Sequence, residues 1–161
     1  MPILRPLPIE TKDKSLLKRT GAWLSATRKW EVMEDWHYTY GLYTILIPKG
    51  FIFDGASIPK IFRNLLSPTG ILLIPGLLHD FGYRYNYLLS FDTTTEIDMI
   101  YCSAGQKFFD QLFLDVAKQI NGMHRIDKLA YYALRVGGKK AWNEHRKNDI
   151  KREEFHEGDI V

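Results

Sequence analysis

The spacing of apolar residues changes along the chain, from alternation before about residue 54 to helical spacing after about residue 70. Between Trp30 and Ile47, apolar and aromatic residues recur near every second position, and Gly41 and Gly50 mark turns between and after these runs. Alternation of this kind is typical of strands, whereas apolar residues three and four apart are typical of helices. The sequence therefore predicts an α+β fold, with a small N-terminal antiparallel β-meander of two or three strands and a mainly helical bundle of three to four helices.

Four stretches of the second half have helical spacing. One begins with a capping-box pattern, since Glu96 stands three residues after Thr93. Another ends at Asn121-Gly122, which is a common helix stop. The predicted helices are Ile71 to Tyr87, about 93 to Phe109, Leu112 to Ile120, and a last helix from near Arg125 that Gly137-Gly138 interrupts.

The length of 161 residues is that of a single domain. We expect residues 1–161 to form one domain with five regions. These are an extended arm (1–21), the β-meander (22–53), a structured loop (54–70), the helical part (71–146) and a loose charged tail (147–161).

Composition narrows the class of protein. Hydrophobic residues make up 45% of the chain and charged residues 25%, as in ordinary globular proteins. The net charge of +3 does not indicate a nucleic-acid-binding protein. Because Cys102 is the single cysteine, no disulfide can form within the chain. No signal peptide or membrane-spanning stretch is recognisable, so we expect synthesis in the cytoplasm.

Two ionisable residues, His79 and Asp80, interrupt the apolar stretch around residue 78. Burying them without partners would cost several kcal/mol, on the order given for unpaired polar and charged groups. Tyr83 stands four residues after His79 and three after Asp80, so it lies one helical turn further on, near both. Successive side chains on a helix diverge by about 100°, so His79 and Asp80 must each meet a different partner.

For His79 the expected partner is Asp98, on the next predicted helix. If the two helices pack antiparallel, this carboxylate would fix the imidazole tautomer and let the other ring nitrogen act as a base. For Asp80 the expected partner is a hard cation such as Ca²⁺, with carbonyl oxygens from the turn at Asp54-Gly55 completing its shell. The same residues also fit a buried hydrogen-bonded network without chemistry. Zinc is disfavoured, because neither HExxH nor CxxC occurs.

A set of short motifs carries a first resemblance. The chain resembles a family of unknown function that is common in tailed phages, prophages and bacteria. This resemblance covers about residues 30 to 145 and implies a phage or prophage origin, without an established activity. The motifs are Gly50-Phe51-Ile52-Phe53-Asp54-Gly55-Ala56-Ser57-Ile58-Pro59, then His79-Asp80 with Tyr83, then Asp98, then Arg135 with Gly138 and Trp142.

The run His79-Asp80-Phe81-Gly82-Tyr83-Arg84 carries a second resemblance, to the active-site helix of secreted bacterial and fungal phospholipases A₂. Those enzymes depend on disulfides, which this chain lacks, and the chain has a longer insert at residues 60–70. The resemblance implies a general base, a calcium ligand on the same helix and an orienting carboxylate. Carried over, the catalytic set is His79, Tyr83 and Asp98, and the metal-binding set is Asp54, Gly55 and Asp80.

These features lead to a function hypothesis with alternatives. The first is a phage-type hydrolase in which Ca²⁺ assists attack of water on an acyl ester, with His79 as base and a phospholipid or membrane surface as partner. The second is a non-catalytic phage protein, either a virion component that contacts other virion proteins or a protein that binds host factors. A third, hydrolysis of cell-wall amide bonds, has no zinc site to support it.

Overall fold

The computed structural model describes residues 1–8, 29–53, 70–91 and 96–147. Within these ranges the chain forms seven β-strands and three α-helices. Strands predominate before residue 54 and helices after residue 70, so the predicted α+β class and its N-terminal strand region are confirmed.

The strands form two antiparallel sheets. The smaller sheet has the order β1-β2-β5, and the larger has the order β3-β4-β6-β7. The first consists of β1 (Leu4–Pro6), β2 (Trp30–Val32) and β5 (Ile52–Phe53). The second consists of β3 (Trp36–Tyr40), β4 (Tyr43–Ile47), β6 (Leu88–Phe91) and β7 (Ile97–Ile100).

Strand β4 is the buried strand of the larger sheet. Ile45, Leu46 and Ile47 are all fully buried, and β4 pairs with β3 on one side and β6 on the other. Successive side chains of a strand point to opposite faces, so three consecutive buried residues show that both faces of β4 are covered here, and a continuous apolar run is typical of such a strand. Gly41 has a φ of +60° in the turn that joins β3 to β4, a conformation that glycine adopts without strain.

The helices are α1 (Leu73–Tyr85), α2 (Gln106–Asn121) and α3 (His124–Lys147). Helix α1 packs against both α2 and α3. Asn86 ends α1 in the left-handed conformation, and its backbone N–H donates to the carbonyl of Gly82. Arg146 of α3 donates to the carbonyl oxygens of Tyr83 and Arg84, which ties the far end of α3 to the end of α1.

The helix predicted from about residue 93 to Phe109 is wrong. Residues 97–100 form β7, which pairs antiparallel with β6. Tyr101 and Ser103 then have φ values of +53° and +58°, which no right-handed helix contains. The spacing of Ile97 and Ile100 matched a helix, but hydrogen bonding to β6 overrides such a short pattern. Helix α2 begins only at Gln106 and takes in the predicted stretch from Leu112 to Ile120.

Gly137-Gly138 does not interrupt the last helix, because α3 is continuous from residue 124 to 147. Part of the predicted arm forms β1 and pairs with β2. Several predicted regions lie outside the described residues. They are the rest of the arm, the start of the meander at 22–28, the loop at 54–69, the capping box at 93–96 except Glu96, and the tail from residue 148.

The core combines the inner residues of the larger sheet with one face of α1 and α2. Leu77, Leu78 and Phe81 of α1 are fully buried in the same cluster as the β4 isoleucines. Among the helices of the described ranges, none is both long enough and apolar enough to cross a bilayer.

Candidate functional site

His79 is placed by α1 at the meeting point of the three helices. Apolar residues on either side of His79 are buried in the core, and the imidazole of His79 is fully buried with them. Its ring lies 3.9 Å, centroid to centroid, from that of Tyr83 one turn later, as the sequence spacing predicts. An imidazole at such a position needs a polar partner from another element.

The partner is Asp110 of α2. Its Oδ1 lies 2.9 Å from Nε2 of His79 and accepts a second hydrogen bond of 2.6 Å from the hydroxyl of Tyr83. Its other oxygen, Oδ2, accepts a 2.5 Å hydrogen bond from the guanidinium of Arg135 on α3. Asp110 is itself fully buried, so one carboxylate joins all three helices.

These contacts define the protonation of the imidazole. The guanidinium of Arg135 keeps Asp110 ionised, and an ionised carboxylate can only accept hydrogen bonds. Nε2 of His79 therefore carries a proton and donates it to Asp110. In the neutral ring this leaves the lone pair on Nδ1, so that Nδ1 is the nitrogen able to take a proton from another molecule.

The Nδ1 side of the ring faces Asp80. Nδ1 lies 3.7 Å from Oδ1 of Asp80, which is beyond hydrogen-bonding distance, and the Asp80 side chain is only 8% exposed. Within the described part of the chain, Nδ1 has no hydrogen-bond partner. The basic nitrogen and a carboxylate are thus neighbours, with Asp110 on the opposite side of the ring.

Charge and burial act in opposite directions on these groups. Burial alone would lower the pKa of His79, but the hydrogen bond to Asp110 and the negative charge of the neighbouring Asp80 carboxylate outweigh it and raise the pKa above 6.5. Burial alone would raise the pKa of Asp110, but hydrogen bonds from His79, Tyr83 and Arg135 hold it below 3.8. Burial, followed by the Asp110 hydrogen bond, raises the pKa of the Tyr83 hydroxyl. Both pKa shifts therefore favour a protonated His79 paired with an ionised Asp110.

Two glycines allow this close approach of helices. A Cβ at Gly138 of α3 would overlap the hydroxyl oxygen of Tyr83 and lie 3.2 Å from its Cζ. A Cβ at Gly82 of α1 would overlap the ring of Phe109, whose Cγ would be 2.8 Å away. The ring of Trp142 packs edge-on against Tyr83 from the next turn of α3. The absence of a side chain at Gly138 leaves the space that the Tyr83 hydroxyl occupies, which is a packing reason for a glycine at this position of α3.

The structure brings together some of the predicted site residues and separates one. His79, Asp80 and Tyr83 lie in one cluster, as expected. Asp98 is not the carboxylate on the imidazole: it lies exposed on β7, opposite Ser90 of β6. The reason is that residues 97–100 form a strand of the larger sheet rather than a helix against α1. Asp54 and Gly55 lie outside the described residues.

Sequence reasoning missed Asp110 altogether and gave Arg135 no role at the site. Asp110 stands among the buried positions of α2, between Phe109 and Leu112 and one turn before Phe113. A carboxylate within the apolar stripe of a helix is the same signal that singled out His79. The sequence predicts one helix ending at about Phe109 and the next beginning at Leu112, so Asp110 falls between the predicted helices rather than in the apolar stripe of one.

The described ranges contain no group of three or more His, Cys, Asp or Glu side chains that could hold a metal ion. Asp80 is the carboxylate next to the basic nitrogen, and its oxygens are of the hard type that Ca²⁺ prefers. The other expected ligands, Asp54 and Gly55, fall in the range 54–69.

Comparison with known proteins gives one match. A family described as protein of unknown function (DUF1353) matches residues 30–134. No curated protein and no solved structure matches the chain. The matched range contains His79, Asp80, Tyr83 and Asp110, and it ends one residue before Arg135.

Proposed function

The chain belongs to the family described as protein of unknown function (DUF1353), and we propose that it is an acyl-ester hydrolase resembling phospholipase A₂. The observation that carries this proposal is the arrangement around His79. Nε2 is held by Asp110 at 2.9 Å. Nδ1 lies on the side of Asp80, and among the described residues this nitrogen has no hydrogen-bond partner. A carboxylate that fixes one ring nitrogen and leaves the other basic is the arrangement of a general base.

In the proposed reaction, Nδ1 of His79 removes a proton from water as the water oxygen attacks the acyl carbonyl carbon. The resulting tetrahedral intermediate collapses, the ester C–O bond breaks, and the leaving alkoxide takes the proton from Nδ1. The products are a carboxylic acid and an alcohol. Asp110 stays ionised throughout and stabilises the imidazolium. Hydrogen bonds from Arg135 and Tyr83 hold the carboxylate oxygens of Asp110 in place.

Calcium remains part of the proposal through Asp80. Asp80 would hold the ion together with oxygens from Asp54 and Gly55. A bound Ca²⁺ would supply positive charge to polarise the acyl carbonyl. The carboxylate of Asp80 lies on the Nδ1 side of the imidazole, so an ion there would be next to the proposed base.

The direct test is release of fatty acid from phospholipid vesicles by the purified chain, with and without calcium. We expect the wild type to release fatty acid and His79→Gln to be slower by roughly 10²- to 10⁴-fold, the usual contribution of a general base. Gln can still donate to Asp110, so the fold should persist. His124→Gln changes an exposed histidine at the start of α3 and is the matched control. No release by the wild type across lipid types and calcium levels would remove the proposal.

The second candidate is a non-catalytic phage protein, either part of a virion or a protein that binds host factors. Two observations favour it. His79 is fully buried, as it would be in a purely structural network, and α3 exposes large apolar residues on its outer face. This candidate predicts that the protein co-purifies with phage particles and that deleting it blocks their assembly. It also predicts that His79→Gln leaves assembly intact, whereas the hydrolase proposal requires loss of ester cleavage.

A further inference from the structure

The outer face of α3 carries a stripe of exposed apolar side chains. Leu129, Tyr132 and Val136 are 59%, 63% and 85% exposed. They are three and four positions apart, so they lie one above another along the same side of the helix. The opposite side of α3 is buried through Ala130, Leu134 and Gly138, so the stripe faces away from the other helices.

Basic residues surround this stripe. Arg125 lies one turn before Leu129, and Lys140 lies one turn after Val136, on the same side of the helix. The exposed basic residues of the face are Arg125, Lys128, Lys139, Lys140 and Lys147, against one exposed acidic residue of α3, Glu144. Five basic side chains and one acidic one therefore surround three apolar side chains, so the outer face of α3 is locally positive.

A depression adjoins the C-terminal end of the stripe. Its volume is about 520 Å³, and Lys139, Lys140, Asn143 and Lys147 line it beside Val136. Gly137 contributes no side chain, which leaves this part of the helix surface open. Glu144 also lines the depression and pairs with Lys140 at 3.9 Å, so the lining carries three ammonium groups against one carboxylate. This net positive charge and the amide of Asn143 suit a phosphate-bearing headgroup.

We propose that this face of α3 docks on an anionic lipid bilayer. The apolar stripe enters the boundary between headgroups and acyl chains, and the surrounding lysines contact headgroup phosphates while their alkyl stems cover apolar surface. A second copy of the chain does not fit, because pairing two such faces would bring two basic rims together. The stripe stands on a convex single helix, which suits a deformable lipid surface better than a shaped protein pocket. The inference holds whether or not the protein is a hydrolase.

The test is flotation of the purified full chain with vesicles in EDTA, which prevents calcium-dependent hydrolysis. One set of vesicles contains phosphatidylcholine alone and the other also contains phosphatidylglycerol. We expect binding to the anionic vesicles only, and weaker binding as salt is raised. Lys139→Glu/Lys140→Glu should weaken that binding at least roughly tenfold, since each basic residue near the surface contributes about 1 kcal/mol.

The apolar stripe is tested by Leu129→Ser/Tyr132→Ser/Val136→Ser, which should also weaken binding at least roughly tenfold. Leu42→Ser is the matched control, because Leu42 is 99% exposed in the turn between β3 and β4. It should bind as the wild type does, and so should His79→Gln, which separates docking from catalysis. All substituted positions on α3 are exposed, and unchanged melting temperatures would verify folding.

Failure of the wild type to float with anionic vesicles would overturn the proposal, as would flotation of both α3 variants at wild-type levels. Binding of the chain to polyglutamate without flotation would assign the face to an acidic protein instead, and would equally overturn the lipid proposal.

Discussion

Nε2 of His79 and Oδ1 of Asp110 lie 2.9 Å apart, although 31 positions separate the two residues along the chain. They meet because α1 and α2 pack side by side, with Gly82 allowing the ring of Phe109 to approach α1. The carboxylate also receives the hydroxyl of Tyr83 and the guanidinium of Arg135. One buried side chain thus determines the tautomer of the proposed base and joins three helices.

The role of this carboxylate is tested by comparing Asp110→Asn with Asp98→Asn. An amide at position 110 can donate as well as accept, so it no longer requires a proton on Nε2 of His79. If His79 is a general base, ester hydrolysis should fall by up to about 10⁴-fold. Asp98→Asn should have little effect, because Asp98 is exposed on β7. Rates of fatty-acid release decide this, and equal losses in both variants would contradict the assignment of Asp110.

The packing of α3 on α1 is tested by Gly138→Ala. The added methyl group would overlap the hydroxyl of Tyr83, which is held by Asp110, so we expect a loss of about 1–3 kcal/mol in the free energy of unfolding. Gly137→Ala is the matched control, since Gly137 is exposed on the same helix and alanine favours helices by up to about 1 kcal/mol. Denaturant unfolding measures both, and a neutral Gly138→Ala would contradict the observed contact.

The pH dependence of stability follows from the two shifted pKa values. The pKa of His79 is raised above 6.5, so its contribution to stability is present below pH 6.5 and lost as pH rises through the folded-state value. The pKa of Asp110 is lowered below 3.8, so its contribution is present above pH 3.8 and lost as pH falls through the folded-state value. The pair should contribute most between pH 3.8 and 6.5.

The measurement for this pair is the difference in free energy of unfolding between the wild type and His79→Gln as a function of pH. That difference should be largest in mildly acidic solution and decline above pH 6.5. Hydrolysis should show the opposite trend on the alkaline side, because the base form of His79 gains population as pH rises through its raised pKa. A rate that falls between pH 6.5 and 9 would argue against His79 as the base.

Calcium binding is tested by thermal melting. If Asp80 holds the ion, Ca²⁺ should raise the melting temperature of the wild type, because a ligand that binds the native state stabilises it by about 2.7 kcal/mol at a hundred times its dissociation constant. Asp80→Asn should abolish this rise, and Asp98→Asn should retain it. An identical rise in both variants would place the ion away from Asp80.

Local pattern was sufficient for part of this protein. Alternation between Trp30 and Ile47 gave the strands of the N-terminal region, and the break in the apolar pattern at His79-Asp80 marked the polar cluster of the core. Such features depend on side-chain periodicity and on the free energy of burying charge, both of which are properties of a few neighbouring residues.

The partners of those residues were decided by tertiary structure. Residues 97–100 form a strand because they hydrogen-bond to β6, and Asp98 therefore lies on the sheet and not on a helix. The carboxylate that contacts His79 is that of Asp110. Position 138 has no room for a side chain because the hydroxyl of Tyr83 on α1 packs against it. By itself the sequence determined which residues require a partner, because an ionisable residue within an apolar stretch is buried with its neighbours and is costly in free energy if unpaired. Only the packing of distant elements determined which partner each one has, because contacts across tens of positions depend on how the whole chain closes.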